Sequence, residues 1–129
     1  MKKKQVFKTV ATHLLTQNSK SVEASLSDSQ AWKGNCQYQN NNGKQCAIGV
    51  LIDSKNYQPD LEGKATDALE VIQAVEKSLD TNITKSDRDL LCKLQDIHDY
   101  STVDSWREEL QGLAHREFNK TLEDLGVSV

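Results

Sequence analysis

Cys36-Gln37-Tyr38-Gln39-Asn40-Asn41-Asn42-Gly43-Lys44-Gln45-Cys46-Ala47-Ile48-Gly49-Val50-Leu51-Ile52 is the stretch whose reading decides the fold class. Asn and Gly tolerate the positive φ that a tight reversal needs, so Asn40 to Gly43 reads as a turn between two runs that pair as a β-hairpin. The second run is too apolar to be half solvated at its far end, which predicts burial there. A glycine inside a strand marks a bulge, or a place where another backbone or a ligand comes close; for Gly49 the bulge is the commoner case.

Outside this hairpin the chain reads as helix and loop. Val6, Phe7, Val10 and Leu14 fall at helical spacing between Lys3 and Gln17, and Asn18-Ser19 supplies a stop. His13 lies at the edge of that stripe and is assigned no role. Lys20 to Asn35 is rich in Ser and lacks a clean period, so it reads as loop anchored by Val22, Leu26 and Trp32. Asp53 to Lys64 holds Tyr57, Gly63 and the only proline, Pro59, which describes an ordered connection. A second helix follows, with Ala65, Ala68, Ile72, Val75 and Leu79 on one face. Ser86, three residues ahead of Asp89, resembles a capping box opening a third helix through Leu94 and Ile97 to about Tyr100. The last helix runs from about Val103 to Phe118, with Trp106, Leu110, Leu113, Ala114 and Phe118 on its stripe and Asp104 near its positive end. One more short turn fits between Asn119 and Val129. The expected fold is therefore α+β, mainly helical with about four helices and one β-hairpin, in a single domain spanning residues 1–129.

A chain of 129 residues, 36% apolar and 27% charged, builds one modest core rather than two, and is not disordered in composition. No stretch approaches the roughly 20 apolar residues that span a bilayer, and Met1-Lys2-Lys3-Lys4 leads into polar sequence rather than a signal-peptide core. Three cysteines, Cys36, Cys46 and Cys92, read most simply as reduced thiols, which points to the cytoplasm. Charge is uneven. Residues 1–52 carry seven lysines and two acids, whereas residues 53–129 carry nine basic residues and 17 acids. Such a split either makes an acidic face for a basic partner or decorates solvated helices, and the interspersed basic residues favour decoration.

Cys36, Cys46, Cys92 and His98 are the right types for zinc, but cysteines ten apart across a hairpin are not a close pair, and Cys92 and His98 point about 120° apart on a helix. No metal or other cofactor is expected. The hairpin cysteines face one another only if the loop leaves them on one side of the pair, where packing as small apolar groups is favoured over a disulfide. His98 falls between Leu91 and Leu94 on the apolar stripe, with Asp96 and Asp99 facing outward, and so is either a satisfied core residue or a base in a pocket. Cys36 or Cys46 with His98 is the sole plausible nucleophile and base, without a recognisable orienting group. Phosphate-cradling, dinucleotide-binding and nucleophile-elbow motifs are missing. Lys2, Lys3, Lys4 and Lys8, without aromatic interleaving beyond Phe7, are a weak footprint for nucleic acid.

Cys36-x-Tyr38, Gly43-x-x-Cys46-Ala47-x-Gly49-x-Leu51-Ile52, Tyr57-x-Pro59, Glu62-Gly63 and Leu94-Gln95-x-x-His98-Asp99 together resemble a family of small uncharacterised proteins of tailed bacteriophages and prophages. The resemblance covers the chain from the first helix to Trp106. It departs at Asp53-Ser54, where the pattern has a proline and an acid, and at Gln39, where it has an arginine. It implies a phage-encoded accessory protein that binds a host bacterial protein without catalysis, in host takeover or against host defence. The alternatives are a sponge for a nucleotide immune signal, held in a pocket between the hairpin and the third helix, and a small Cys/His hydrolase. Tyr38, Gly49, Tyr57, Glu62, His98 and Asp99 are the candidate ligand- or partner-binding residues. Against these roles stand plain structural ones: tyrosines that pack, a glycine that relieves strain, and a glutamate that caps the second helix. Neither membrane nor nucleic acid is an expected partner, and a homodimer is left open.

Overall fold

The computed structural model describes residues 1–22 and 36–129. The expected loop anchors Leu26 and Trp32 fall outside these residues. Among the described residues four α-helices make up the regular structure: α1 (Lys3–Gln17), α2 (Leu69–Leu79), α3 (Lys85–Tyr100) and α4 (Trp106–Phe118). Among the described residues there is no strand or sheet, so the fold is all-α and the expected α+β class with a hairpin is corrected.

The hairpin fails for a physical reason. Its turn does form: Asn40 N–H donates to Lys44 O at 2.9 Å, the Asn40 side-chain oxygen accepts from Asn42 N and Lys44 N, and Gly43 takes φ +80°. Pairing stops almost at once, with a single bridge between Gln39 and Gln45 and the bond from Cys46 N to Tyr38 O at 3.2 Å. Beyond Cys46 the chain winds into a 3-10 turn, Gly49–Leu51, closed by bonds from Val50 N to Cys46 O and from Leu51 N to Ile48 O. Winding places Ala47, Ile48, Leu51 and Ile52 in the core together, whereas a strand would send alternate members of the run to solvent. Burial of the run is thus as expected, by a different conformation.

Gly49 is not a strand bulge but a point of backbone approach. A Cβ placed there would lie 1.7 Å from the Tyr38 carbonyl oxygen, so only glycine lets the turn pack on residue 38.

Helix α1 buries Val6, Phe7, Val10, Ala11 and Leu14 and packs on both α3 and α4, and Phe7 meets Phe118 edge to face at 5.6 Å. Three helices end in the left-handed region on Asn or Asp rather than glycine: α1 at Asn18, α2 at Asp80 and α4 at Asn119. Helix α2 starts at Leu69, later than the expected Ala65, and buries Val71, Ile72, Ala74 and Val75. Its short span packs on the 49–51 turn.

The start of α3 is a capping box, two residues ahead of the expected one. Thr84 and Asp87 exchange side-chain and backbone bonds at 3.1 and 3.0 Å, in place of Ser86 and Asp89. Burial pushes the Asp87 carboxyl up, but the Thr84 amide and hydroxyl and the nearby Met1 ammonium outweigh it and hold the group below its usual range. Helix α4 is entered through a 3-10 turn at Val103–Ser105, and Trp106, its first residue, is fully buried. No helix among the described residues is long and apolar enough to cross a membrane.

Candidate functional site

The six residues singled out from the sequence fall into two clusters on either side of one cavity. The first is built around Glu62. Its Oε1 accepts Tyr38 N–H at 2.8 Å; its Oε2 accepts Gln39 N–H at 3.2 Å and the Tyr57 hydroxyl at 2.7 Å. Glu62 therefore accepts the amides of the 38–39 segment and does not cap α2, which begins seven residues later. Gly49 brings the 3-10 turn against the same residue 38, and the Tyr38 hydroxyl donates to Lys64 O at 2.6 Å. Burial, reinforced by the bond to the Glu62 carboxylate, pushes the Tyr57 hydroxyl well above its ordinary range. Gln39 donates to Ile52 O at 3.1 Å and ties the 38–39 segment to the end of the apolar run.

The second cluster is a buried polar network on α3. Ser21 N–H donates to His98 Nε2 at 2.9 Å, so Nε2 carries no proton and Nδ1 does. Nδ1–H in turn donates to Asp99 Oδ1 at 2.8 Å. The same oxygen accepts Gln95 Nε2–H at 2.8 Å, and Gln95 Oε1 accepts Ile48 N–H at 3.1 Å. Lys20 Nζ, also buried, donates to the Asp99 carbonyl at 3.3 Å, and the Cys36 thiol bonds to the Asp99 carboxylate. The His98 ring stacks on Trp106 at 5.6 Å. Asp99 is only 5% exposed, which corrects the expectation that it faces outward; Asp96 does face solvent. Helix α3 is enclosed around most of its circumference, and Gln95 and Asp99 form an i, i+4 pair on the side where residues 20–21, 36 and 48 meet it.

Between the clusters lies a cavity of about 300 Å3, lined among others by Cys36, Tyr38, Cys46, Thr66, Gln95 and Asp99. Both thiols on its wall are held protonated. Burial and the neighbouring Asp99 carboxylate push the Cys36 thiol far up, and burial pushes that of Cys46 to about 12, although the Cys46 sulfur accepts the Gly49 amide at 3.3 Å. The Cys/His pair is thus short of a thiolate, and its histidine has no nitrogen left over to act as a base.

Cys36, His98 and Asp99 are the group of potential metal ligands among the described residues, their ligand atoms all within 4.8 Å of one another. Cys46 and Cys92, of suitable type for zinc but set aside on their spacing, are not in it. The histidine does not suit a metal: Nδ1 would have to lose its proton while Nε2 faces the Ser21 N–H, whereas a ligating imidazole normally keeps a proton on its second nitrogen and donates it. The cluster fits a hydrogen-bonded tie between segments rather than a ligand set.

Sequence reasoning selected Tyr38, Gly49, Tyr57, Glu62, His98 and Asp99 but missed Lys20, Ser21 and Gln95. Gln95 stands inside the Leu94-Gln95-x-x-His98-Asp99 pattern and one helical turn from Asp99, which was the available signal. His13, given no role, also takes part in the loop's support: its Nε2 meets Gln45 O at 2.8 Å, while the Gln17 amide brackets the Gln45 N–H and C=O. Burial lowers the His13 pKa, and the Gln45 carbonyl only partly opposes this. Compared with protein-family models, curated proteins and solved structures, the chain matches none of them.

Proposed function

We propose that this chain is a phage-encoded accessory protein that acts in the host bacterial cytoplasm by binding a host protein, in host takeover or against a host defence, with no chemistry of its own. The phage origin rests on the cysteine, Glu-Gly and His-Asp pattern of the sequence. The observation that carries the non-catalytic role is the wiring of His98, whose two nitrogens are both engaged, beside thiols that burial keeps protonated. The Cys/His hydrolase reading loses base and nucleophile on the same geometry.

A second reading, a sponge for a nucleotide immune signal, draws support from the position of the cavity, between the 36–46 segment and α3 as that reading requires. Its volume of about 300 Å3 is at the small end of the roughly 300–1,000 Å3 typical of small-molecule sites, which favours the protein partner.

The test is capture of tagged protein from its bacterial host, followed by native and denatured mass spectra of the same untagged sample. A stoichiometric host protein retained by wild type and by a folded Cys36→Ser variant is the expected result. A small mass excess that is lost on denaturation would transfer the role to the sponge, and turnover abolished in Cys36→Ser would restore the hydrolase.

A further inference from the structure

The turn that reverses the chain between Gln39 and Gln45 carries Asn42-Gly43, both exposed, and Asn42 is the one asparagine of the sequence followed by glycine. Glycine has no Cβ, so the 42–43 peptide plane rotates against little steric resistance, and a Cβ built on Gly43, at φ +80°, would meet no atom within 4 Å. Rotation of that plane turns the Gly43 nitrogen towards the carbonyl carbon of the Asn42 side chain, with which it closes a five-membered ring. The nearby asparagines are placed differently. Asn40 is held at both ends of its carboxamide: Oδ1 accepts Asn42 N–H and Lys44 N–H, each at 2.9 Å, and Nδ2 donates to Val22 O at 2.9 Å. Asn56 Nδ2 donates to Asp53 Oδ1 at 2.6 Å. No hydrogen bond holds the Asn42 carboxamide among the described residues. A single bond restrains the attacking group, from Gly43 N–H to Asn40 O, and at 3.2 Å it is at the long end of the normal range.

We propose that Asn42 is a site of spontaneous self-modification in the folded protein, where the Gly43 amide nitrogen displaces ammonia from the Asn42 side chain. The Gly43 nitrogen bonds to Asn42 Cγ, its proton passes through solvent to the carboxamide nitrogen, and that nitrogen leaves as ammonia. Water then opens the five-membered imide. Opening at the side-chain carbonyl leaves aspartate; opening at the main-chain carbonyl leaves isoaspartate, whose backbone runs through Cβ and Cγ and is one carbon longer. The net change is one water taken up and one ammonia released, with no oxidation, and either product adds one negative charge. The longer backbone has a local consequence. Lys44 O accepts Asn40 N–H at 2.9 Å and the Ser21 hydroxyl at 3.2 Å, and Ser21 N–H holds His98 Nε2 at 2.9 Å. Lengthening the 42–43 link displaces Lys44 from Asn40, so the isoaspartate form loosens the turn first and the hold on Ser21 next. This inference is independent of the binding role proposed above.

The experiment ages the full, folded chain at physiological temperature and follows its peptides by mass spectrometry, with isoaspartate read by enzymatic carboxyl methylation. A parallel sample is aged unfolded in urea. The expected result for the folded chain is a gain of one mass unit on the peptide that contains Asn42, isoaspartate among the products, a rate that rises with pH above neutrality, and Asn40 and Asn56 unchanged over the same time. Asn42→Gln should abolish the signal, because its longer side chain would have to close a six-membered ring. Modification in urea but not in the folded chain, or Asn40 and Asn56 converting as fast as Asn42, would overturn the assignment. Amide exchange on the separated isoaspartate form tests the consequence: Lys44 and Ser21 should exchange faster than in wild type, whereas Asn42→Asp, with the same charge on a normal backbone, should match wild type. Equal exchange in all three would overturn the loosening.

Discussion

The α1–α3–α4 bundle and the 36–66 segment beside it both contribute side chains to one buried core, but different forces hold them. In the bundle, Phe7, Val10, Leu14, Leu91, Leu94, Leu110 and Leu113 pack side chain on side chain, and the backbone is satisfied within the helices. The 36–66 segment has almost no regular structure to satisfy its backbone. Local turn bonds satisfy part of it, and side chains take further amides: Glu62 those of residues 38 and 39, Gln95 that of residue 48, Gln17 that of residue 45, and Asn40 those of residues 42 and 44. Apolar packing is non-directional and yields by degrees, whereas a side chain that replaces a backbone partner is specific to one geometry. A single polar substitution should therefore unfasten the segment while leaving the bundle intact, and a core truncation should weaken both.

Gly49→Ala gives the largest expected effect, because the added carbon would sit 1.7 Å from the Tyr38 carbonyl with only backbone there to yield. The cost should reach or exceed the roughly 3 kcal/mol upper end of ordinary overpacking, read as the shift in urea midpoint. A midpoint within error of wild type would mean that the segment is not locked as described. Leu94→Ala, in the centre of the bundle, should cost about 3 kcal/mol and accelerate amide exchange everywhere, the segment included. Exchange that quickens only in the helices would show the segment to be independent of the core. Glu62→Gln should cost about 1.5 kcal/mol, because an amide cannot accept all three of the bonds Glu62 receives. Faster exchange should be confined to the segment, Tyr38 and Gln39 first; a uniform increase would erase the contrast between the two regions.

The smallest effect is on pH dependence. His13 has a folded pKa below the unfolded value near 6.5, so the unfolded chain binds more protons as pH falls through that range. Its contribution to stability is full above about pH 6.5 and is lost as pH falls to the depressed folded value. His13→Gln should flatten that part of the stability–pH curve, and an unchanged slope would place the dependence on another group.

The helices were legible because their apolar residues recur at a clean period over eleven or more residues. The hairpin was misread because Ala47-Ile48-Gly49-Val50-Leu51-Ile52 is apolar at both parities, so alternation and winding fit equally well until Gly49 is seen to meet the Tyr38 backbone. Both Thr84-x-x-Asp87 and Ser86-x-x-Asp89 have capping spacing. The bond from Ile83 N to Glu76 Oε2 at 2.8 Å fixes where the chain enters α3 and selects the earlier pair. At the site, Glu62 and His98 were visible as polar residues at apolar or turn positions. The burial of Asp99 was not, because Lys20 and Cys36, which meet it, are far away in sequence and reach it only through the tertiary fold.

That separation bears on the order in which the molecule assembles. The bond from Ser21 to His98 closes 77 residues and that from Ile48 to Gln95 closes 47, whereas the bonds that make α2 and α3 are local. Loops of that length are entropically costly to close before other contacts hold their ends, so the His98–Asp99 network should form after the folding transition state. His98→Gln is then expected to speed unfolding in stopped-flow measurements while leaving the refolding rate nearly unchanged, which makes the network a latch on the lifetime of the native state rather than a guide to reaching it.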